Sequence, residues 1–203
     1  MVEVTGTVVW DVETSGLHRD EHEILSISAA CGEERFNTLC KPTQPIPADA
    51  SRINGLYDSH FEGAPAYEEA AISFVQWVYR VAGPRPLLVA FNGDHFDVPF
   101  LIYKNAAIDP SRFPAFESVY TSDPLRIAQK IYTREQVAGS YRQSSVYKML
   151  FGAEPAGQHT SEGDVEALRR IVEHDTMAQL VSASARPLHD LSGQHMLAVR
   201  NKC

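Results

Sequence analysis

Residues 7–17 read TVVWDVETSGL, an apolar run that ends in two acids. The apolar part is typical of a buried β-strand. Successive strand side chains alternate between the two faces of a sheet, so Asp11 and Glu13 share one face. Two like charges about 4 Å apart repel by about 1 kcal/mol in water and by about 4 kcal/mol near a protein surface. The stretch therefore predicts a strand end at which a divalent cation compensates two carboxylates.

The composition of the chain is that of one globular unit. Its 203 residues are 44% hydrophobic, which is enough for one sizeable core. The formal net charge of -8 argues against a protein that holds nucleic acid through a broad cationic surface. A metal-dependent nuclease remains compatible with this charge, because bound dications supply positive charge at the phosphates.

The cysteines and the N-terminal residues indicate a soluble protein of a reducing compartment. Cys31, Cys40 and Cys203 contain no CxxC pair, so neither a zinc knuckle nor a disulfide framework is expected. The N-terminus lacks the regions of a signal peptide, and no apolar run approaches the roughly 20 residues that span a bilayer. We therefore expect an intracellular protein, cytoplasmic or nuclear, that does not bind a membrane.

Three strands come first, and helices alternate with strands after them. Residues 6–12, 23–30 and 34–41 are predicted strands whose short connections indicate an antiparallel meander. Beyond a loop with one short helix near 48–53, the patterns predict helices at 67–81, 97–107, 124–132, 144–151 and 162–174 and strands at 86–91 and 118–121. This order predicts an α/β fold with a central five-stranded mixed sheet, meander plus parallel strands, flanked by helices. We expect one domain at 1–181 and a tail of unknown role at 182–203, which opens as a flexible link.

Two further acidic clusters follow the first. Residues 91–101, FNGDHFDVPFL, place Asp97 just past the strand predicted at 86–91. Residues 159–168, HTSEGDVEAL, place His159 five positions before Asp164, where the last long helix begins.

Each cluster also has an ordinary structural interpretation. The DxE pair alone could be a solvated strand end, or could open a calcium loop, although the twelfth position of that loop is His22 where a bidentate Glu is required. Asp97 could be the N-cap of a helix. Asp164 could form a capping box with Ser161, and His159 could be polar surface. The occurrence of all three clusters in this order favours a catalytic interpretation.

In this order the clusters resemble the three motifs of the DnaQ-like exonuclease superfamily, in its DEDDh branch. The first motif, D-x-E-T-[ST]-G-L, is matched by residues 11–17. The second and third motifs, N-x-x-x-F-D and H-x4-D, are matched by Asn92, Phe96, Asp97, His159 and Asp164. The sister branch has Tyr at the position that Thr160 occupies here, so the His form is indicated. The resemblance covers about residues 5–178, and it departs from many relatives at Phe91, where they have His.

The resemblance implies an RNase H-like exonuclease fold that binds two divalent cations, Mg²⁺ or Mn²⁺. The implied metal ligands, which are also catalytic residues, are Asp11, Glu13, Asp97 and Asp164. His159 is implied as the general base, because an imidazole is largely neutral at physiological pH and can accept a proton. The second motif carries an additional acid, Asp94, which we expect to be solvated.

The resemblance also implies a pocket for the terminal nucleotide. Its implied binding residues are Glu13, Thr14, Leu17, Ile53, Asn92, Phe96 and His159. Leu17 and Ile53 would pack against the terminal base, whose flat face makes such stacking tolerant of sequence. The Thr14 main chain and the Glu13 carboxylate would contact the 3′ hydroxyl.

The expected function is a metal-dependent 3′ to 5′ exonuclease that hydrolyses single-stranded or frayed DNA to nucleoside 5′-monophosphates. Its expected partners are single-stranded 3′ ends, together with a polymerase or repair protein. The same chemistry on RNA is the close alternative, because the treatment of a 2′ hydroxyl cannot be read from these residues. A catalytically degenerate, polymerase-associated adaptor is the alternative from another class.

Overall fold

The computed structural model describes residues 3–112, 118–157 and 160–190. These residues contain one six-stranded sheet. The strands are β1 (Gly6–Thr14), β2 (Ile24–Cys31), β3 (Glu34–Leu39), β4 (Pro86–Val89), β5 (Tyr120–Ser122) and β6 (Arg186–Pro187). Their order across the sheet is β3-β2-β1-β4-β5-β6, which places β1 near the middle.

The sheet has the mixed character that the sequence predicts. Strands β1, β2 and β3 form the antiparallel meander, and β4 and β5 continue the sheet in parallel. The predicted mixed sheet flanked by helices is therefore confirmed. The sheet has six strands where five are predicted, because β6 adds an antiparallel strand beside β5. With only two residues, β6 is too short to show an alternating pattern.

Helices flank the sheet. The described residues form α1 (Ala48–Asn54), a 3-10 helix (Asp58–Phe61), α2 (Tyr67–Ala82), α3 (Asp97–Asn105), α4 (Pro124–Ile131), α5 (Gln143–Phe151), α6 (Ser161–Glu173) and α7 (Asp175–Ala183). The 3-10 helix and α7 are not predicted. Helix α7 follows α6 at once because the His174 side chain accepts the N–H of Thr176 at 3.3 Å and caps it. Among these helices, none combines the length and the apolar character needed to cross a membrane.

The two faces of the sheet have separate cores. Trp10 belongs to the core that α2 and α3 cover, and Val9 belongs to the core of α5, α6 and α7, together with Leu168. Neighbouring residues of a strand point to opposite faces. Asp11 and Glu13 therefore share the face of Val9, which is the face that α6 covers.

Residues 182–190 are packed against the rest of the fold. Helix α7 runs across the boundary predicted at residue 181. The Ser184 hydroxyl hydrogen-bonds the Ser122 hydroxyl at 2.7 Å, and the N–H of Leu188 donates to the Val119 carbonyl at 2.8 Å. Leu188 is itself buried. The expected flexible link is therefore wrong for these residues, because a single buried leucine in a polar stretch gives no periodic signal.

Candidate active site

Asp11 and Glu13 lie at the end of β1 that meets α6. Ser28 and Ser26 of β2 are their neighbours across the strand pair. The Ser28 hydroxyl donates to the Ser161 hydroxyl at 2.7 Å, which ties β2 to the first turn of α6. The two carboxylates therefore lie between two elements that are fixed to one another.

The chain turns at Gly16, immediately after β1. A Cβ atom at this position would overlap the His22 ring, so a larger residue would require that side chain to move. The Thr14 hydroxyl donates to the Gly16 carbonyl at 2.7 Å. The side-chain amide of Asn54 donates to the Thr14 carbonyl at 3.3 Å. These bonds hold the end of α1, including Ile53, against the turn that follows the two acids.

Asp97 is the first residue of α3, and it is buried. Its Oδ1 accepts the main-chain N–H of Val12 at 3.2 Å. The N-cap of α3 is Phe96, with no side-chain capping bond, so the interpretation of Asp97 as an N-cap is wrong. The bond to Val12 holds Asp97 at the strand end that carries Asp11 and Glu13.

The turn before α3 is formed by residues that include Asn92 and Phe96 of the second motif. Asn92 has φ of 62°, a left-handed conformation that Asn adopts more readily than most residues. A Cβ atom at Gly93 would lie 2.6 Å from the Cβ of Ala90. The N–H of Phe96 returns to the Asn92 carbonyl at 3.1 Å. This tight turn delivers Asp97 to the edge of the sheet.

Asp164 lies in the first turn of α6. The helix is capped by Thr160, whose hydroxyl accepts the N–H of Gly163 at 3.1 Å. The interpretation of Ser161 and Asp164 as a capping box is therefore wrong, because the N-cap is Thr160. A Cβ atom at Gly163 would overlap the Gly157 carbonyl, so Gly157 packs directly on the turn that carries Asp164.

Burial and neighbouring carboxyl groups raise the pKa of three of the four acids. Burial raises the pKa of Asp11 well above its usual value, and the charges of Asp97, Glu13 and Asp164 raise it further. Burial and Asp164 raise the pKa of Glu13 to about 7. Burial raises the pKa of Asp97 to about 7, although the N–H of Val12 opposes this shift. The structure thus brings together all four acids that were predicted from three distant segments.

The donor atoms of this centre suit a divalent cation. Carboxylate oxygens are the hard ligands that Mg²⁺ and Mn²⁺ prefer, and a cation would reverse the repulsion that raises these pKa values. As placed, the described residues contain no group of three or more His, Cys, Asp or Glu side chains that could hold an ion. A shared ion would therefore require these carboxylates to rotate toward a common point.

A cavity of about 260 Å³ opens beside the acids. The residues that line it are Asp11, Phe91, Arg142, Gln143, Ser144, Pro155 and Asp164. The side-chain amide of Gln143 donates to the main-chain carbonyl of Asp164 at 2.8 Å. This bond links the start of α5 to α6 and makes α5 a wall of the site, which the sequence motifs do not indicate.

The residues predicted to hold the terminal nucleotide differ in exposure. Leu17 is 77% exposed and Ile53 is 72% exposed, the highest values among the large apolar side chains of the described residues. Phe96 packs against the core, with its ring centroid 5.1 Å from that of Phe100. His159 lies outside the described residues, so its predicted role stays a prediction.

Asp94 is not solvated, and that prediction is wrong. Its side chain is 1% exposed, and the Nε atom of Arg126 lies 2.7 Å from its Oδ2. A second guanidinium, that of Arg186, contacts its Oδ1. Arg186 is on β6, in the segment that the sequence predicts to open as a flexible link. The burial of Asp94 therefore depends on a contact that no local pattern contains.

Asp123 is a buried acid that no motif includes. Its carboxylate accepts the main-chain N–H groups of Asn92 at 2.9 Å, Asp94 at 3.4 Å and Leu125 at 2.9 Å. Burial and Asp94 raise its pKa, and the three N–H groups lower it. The Asp-Pro pair at the start of α4 is a typical N-cap signal. Only the structure shows that the same carboxylate also holds the turn before Asp97.

Comparison with known sequences identifies a family and several relatives that are similar to this chain. A family model described as Exonuclease (RNase T) matches residues 8–172. Three prime repair exonuclease 2 of Mus musculus is 33% identical over 144 residues, which cover 68% of this chain and 61% of the relative. Three-prime repair exonuclease 1 of Homo sapiens is 33% identical over 164 residues, 76% of this chain and 51% of the relative.

A bacterial polymerase subunit is also similar. DNA polymerase III subunit epsilon of Treponema pallidum (strain Nichols) is 34% identical over 97 residues, 45% of this chain and 42% of the relative. The chain thus spans less than two thirds of each of these three relatives. Among solved structures, the zinc-bound form of the E. coli exonuclease I complex with single-stranded DNA aligns with a TM-score of 0.68 at 18% identity. That alignment covers 87% of this chain and 41% of the other, and at this identity it supports the fold alone.

Proposed function

The chain belongs to the Exonuclease (RNase T) family, and from this premise we propose that it is a metal-dependent 3′ to 5′ exonuclease of DNA. The proposed substrates are single-stranded or frayed 3′ ends, and the products are nucleoside 5′-monophosphates. The names of two relatives, the three prime repair exonucleases, support the 3′ end as the point of attack. The polymerase subunit among the relatives supports DNA as the polymer and a polymerase or repair protein as a partner.

One observation carries the proposal: carboxyl groups from three distant segments converge on the end of β1. The charges of Glu13, Asp97 and Asp164 together raise the pKa of Asp11. Buried acids that repel one another reduce stability, so a purely structural role does not account for them. Holding cations against a phosphodiester does account for them.

In the proposed site the four carboxylates hold two divalent cations. When bound, such ions stabilise the charge that develops on a phosphodiester and make a water molecule more acidic. The chain positions these ligands through the bond from Val12 to Asp97 and through the cap of α6 by Thr160. We propose that His159 accepts the proton of the attacking water, a role carried over from the third motif.

End recognition is proposed to come from the rim around the turn at Gly16. Leu17 and Ile53 expose apolar surface there, which suits stacking against a terminal base. The Thr14 main chain and Glu13 are proposed to contact the 3′ hydroxyl. Because these contacts read a base face and a chain end, the proposed enzyme tolerates different sequences.

End-labelled oligonucleotides test this function. Purified protein should shorten single-stranded DNA from its 3′ end with Mg²⁺ or Mn²⁺ and should be inactive with EDTA. An RNA strand of the same sequence separates the DNA preference from the exoribonuclease alternative. Inertness toward both polymers in the presence of metal would contradict the proposal and favour a non-catalytic adaptor.

A further inference from the structure

A second cavity, of about 470 Å³, adjoins the one beside the acids. Phe91, Arg142 and Gln143 line both cavities. The residues that line only the second are Asn92, Leu125, Gln129, Arg134, Gly139, Ser140 and Tyr141. We call this second cavity the α4–α5 groove, since most of its lining comes from those helices and the loop between them. Asp11 and Asp164 line only the first cavity, so the groove adjoins the acids without containing them.

The groove is cationic in a chain whose formal net charge is -8. Arg134 and Arg142 line it, and none of its described lining residues is acidic. Among the residues that the structure describes, no carboxylate is within ion-pair distance of either guanidinium. By contrast, eight other arginines of the described residues each lie within ion-pair distance of a carboxylate. Both groups are therefore available to an anion.

The loop that forms the groove is held in place by its own hydrogen bonds. The Arg134 carbonyl accepts the N–H of Gly139 at 2.7 Å, and the Arg134 Nη1 donates to the Gly139 carbonyl at 3.3 Å. Val137 between them is fully buried. The Tyr141 hydroxyl donates to the Tyr132 carbonyl at 2.7 Å, and the Arg134 guanidinium lies 5.8 Å from the centre of the Tyr141 ring. One cation and one aromatic ring are thus positioned together in the groove.

We propose that the α4–α5 groove binds the substrate strand on the 5′ side of the scissile phosphate. Arg142, which lines both cavities, contacts the first phosphate beyond the acids. Arg134 contacts a following phosphate, and Tyr141 provides a face for a base. A guanidinium forms paired hydrogen bonds with phosphate oxygens, and aromatic rings stack on any base. The inference rests on the proposed function, because it assumes that a strand end lies at the acids.

Salt-dependent binding tests the groove. The affinity for a fluorescent ten-nucleotide DNA strand with phosphorothioates at its 3′ end is measured by titration at several salt concentrations. The proteins compared are the parent protein, the groove variants Arg142→Gln and Arg134→Gln, and the matched control Arg80→Gln. Arg80 is exposed on α2, which covers the other face of the sheet. Each groove substitution should weaken binding about tenfold and reduce the slope of log affinity against log salt by about 0.7, the value for one phosphate contact with a single strand. Arg80→Gln should match the parent protein.

The preference for long over short substrates gives a second measurement, and a general structural disturbance would not change this preference. The ratio of kcat/KM for the ten-nucleotide strand to that for a dinucleotide should fall about tenfold in the groove variants, because a dinucleotide has no further phosphates to bind. Groove variants that match Arg80→Gln in both slope and ratio would overturn the inference. If the parent protein binds DNA with the expected slopes but hydrolyses nothing, the groove stands and the proposed function fails.

Discussion

Arg186 on β6 forms an ion pair with Asp94, in the turn that leads into Asp97. The Asp94 side chain is 1% exposed and that of Arg186 is 27% exposed, so the pair is largely shielded from water. Asp123 holds the same turn through the main-chain N–H groups of Asn92 and Asp94. The last described strand and the acidic centre are therefore parts of one charged network.

Arg186→Met should lower the free energy of unfolding by about 2–4 kcal/mol, because a buried carboxylate loses one of its two cationic partners. Arg126→Met is the matched control, since Arg126 contacts the same carboxylate but is 49% exposed. This substitution should lower the free energy of unfolding by less than Arg186→Met does. Urea denaturation measures both variants. Equal and small effects would show that the pair with Arg186 does not hold the turn.

Asp97→Asn should abolish activity and stabilise the metal-free protein. The folded-state pKa of Asp97 is about 7, above the usual value near 4, so the ionised carboxylate is disfavoured in the folded state. At pH 8 the amide should raise the free energy of unfolding by about 1–3 kcal/mol, and near pH 4 this gain should vanish. Asp123→Asn should instead destabilise, because its carboxylate accepts three main-chain N–H groups. Thermal melts in EDTA that show Asp97→Asn to be destabilising at pH 8 would contradict the pKa argument.

Divalent cations should stabilise the protein more at pH 8 than at pH 5. The pKa values of Glu13 and Asp97 are raised to about 7, so protons occupy these groups at pH 5 and compete with a cation. Melting curves with 10-fold steps of Mn²⁺ at the two pH values measure the shift. Asp11→Asn should remove most of the shift at pH 8. An equal shift at both pH values in the parent protein would place the binding of Mn²⁺ elsewhere.

His159→Ala should lower kcat by about 10² to 10⁴, the usual contribution of a general base. The stabilisation by Mn²⁺ should persist, because the proposed metal ligands are the four carboxylates. At Mn²⁺ concentrations that saturate the carboxylates at each pH, the acidic limb of the pH–rate profile should also disappear, since it then reports the protonation of the base. A variant that retains the kcat of the parent protein would refute this role for His159.

Local patterns predicted the parts of the fold and site whose residues are close in the chain. The alternation of a strand set Asp11 and Glu13 on one face, and the apolar run of β4 followed by a turn signal located the start of α3 at Asp97. The start of α6 was predicted one residue from its observed position, at Ser161. Its cap is Thr160 instead of Ser161, because a choice between adjacent hydroxyls depends on which one faces the helix.

Local patterns did not predict the contacts between segments that are far apart in the chain. Asp94 and Asp97 are both acids of the same motif, and their different surroundings come from Val12 in one case and from Arg126 and Arg186 in the other. Strand β6 has two residues, so no periodicity marks it. The groove with Arg134 and Arg142 likewise depends on the packing of α5 against α6.

The sequence by itself determined which acids stand on which elements, because strand alternation and helix starts are local properties of the backbone. Only the tertiary structure decided which acid faces the others and which is neutralised by arginines, because the field at a buried carboxylate is set by groups that are near in space and far apart in the chain.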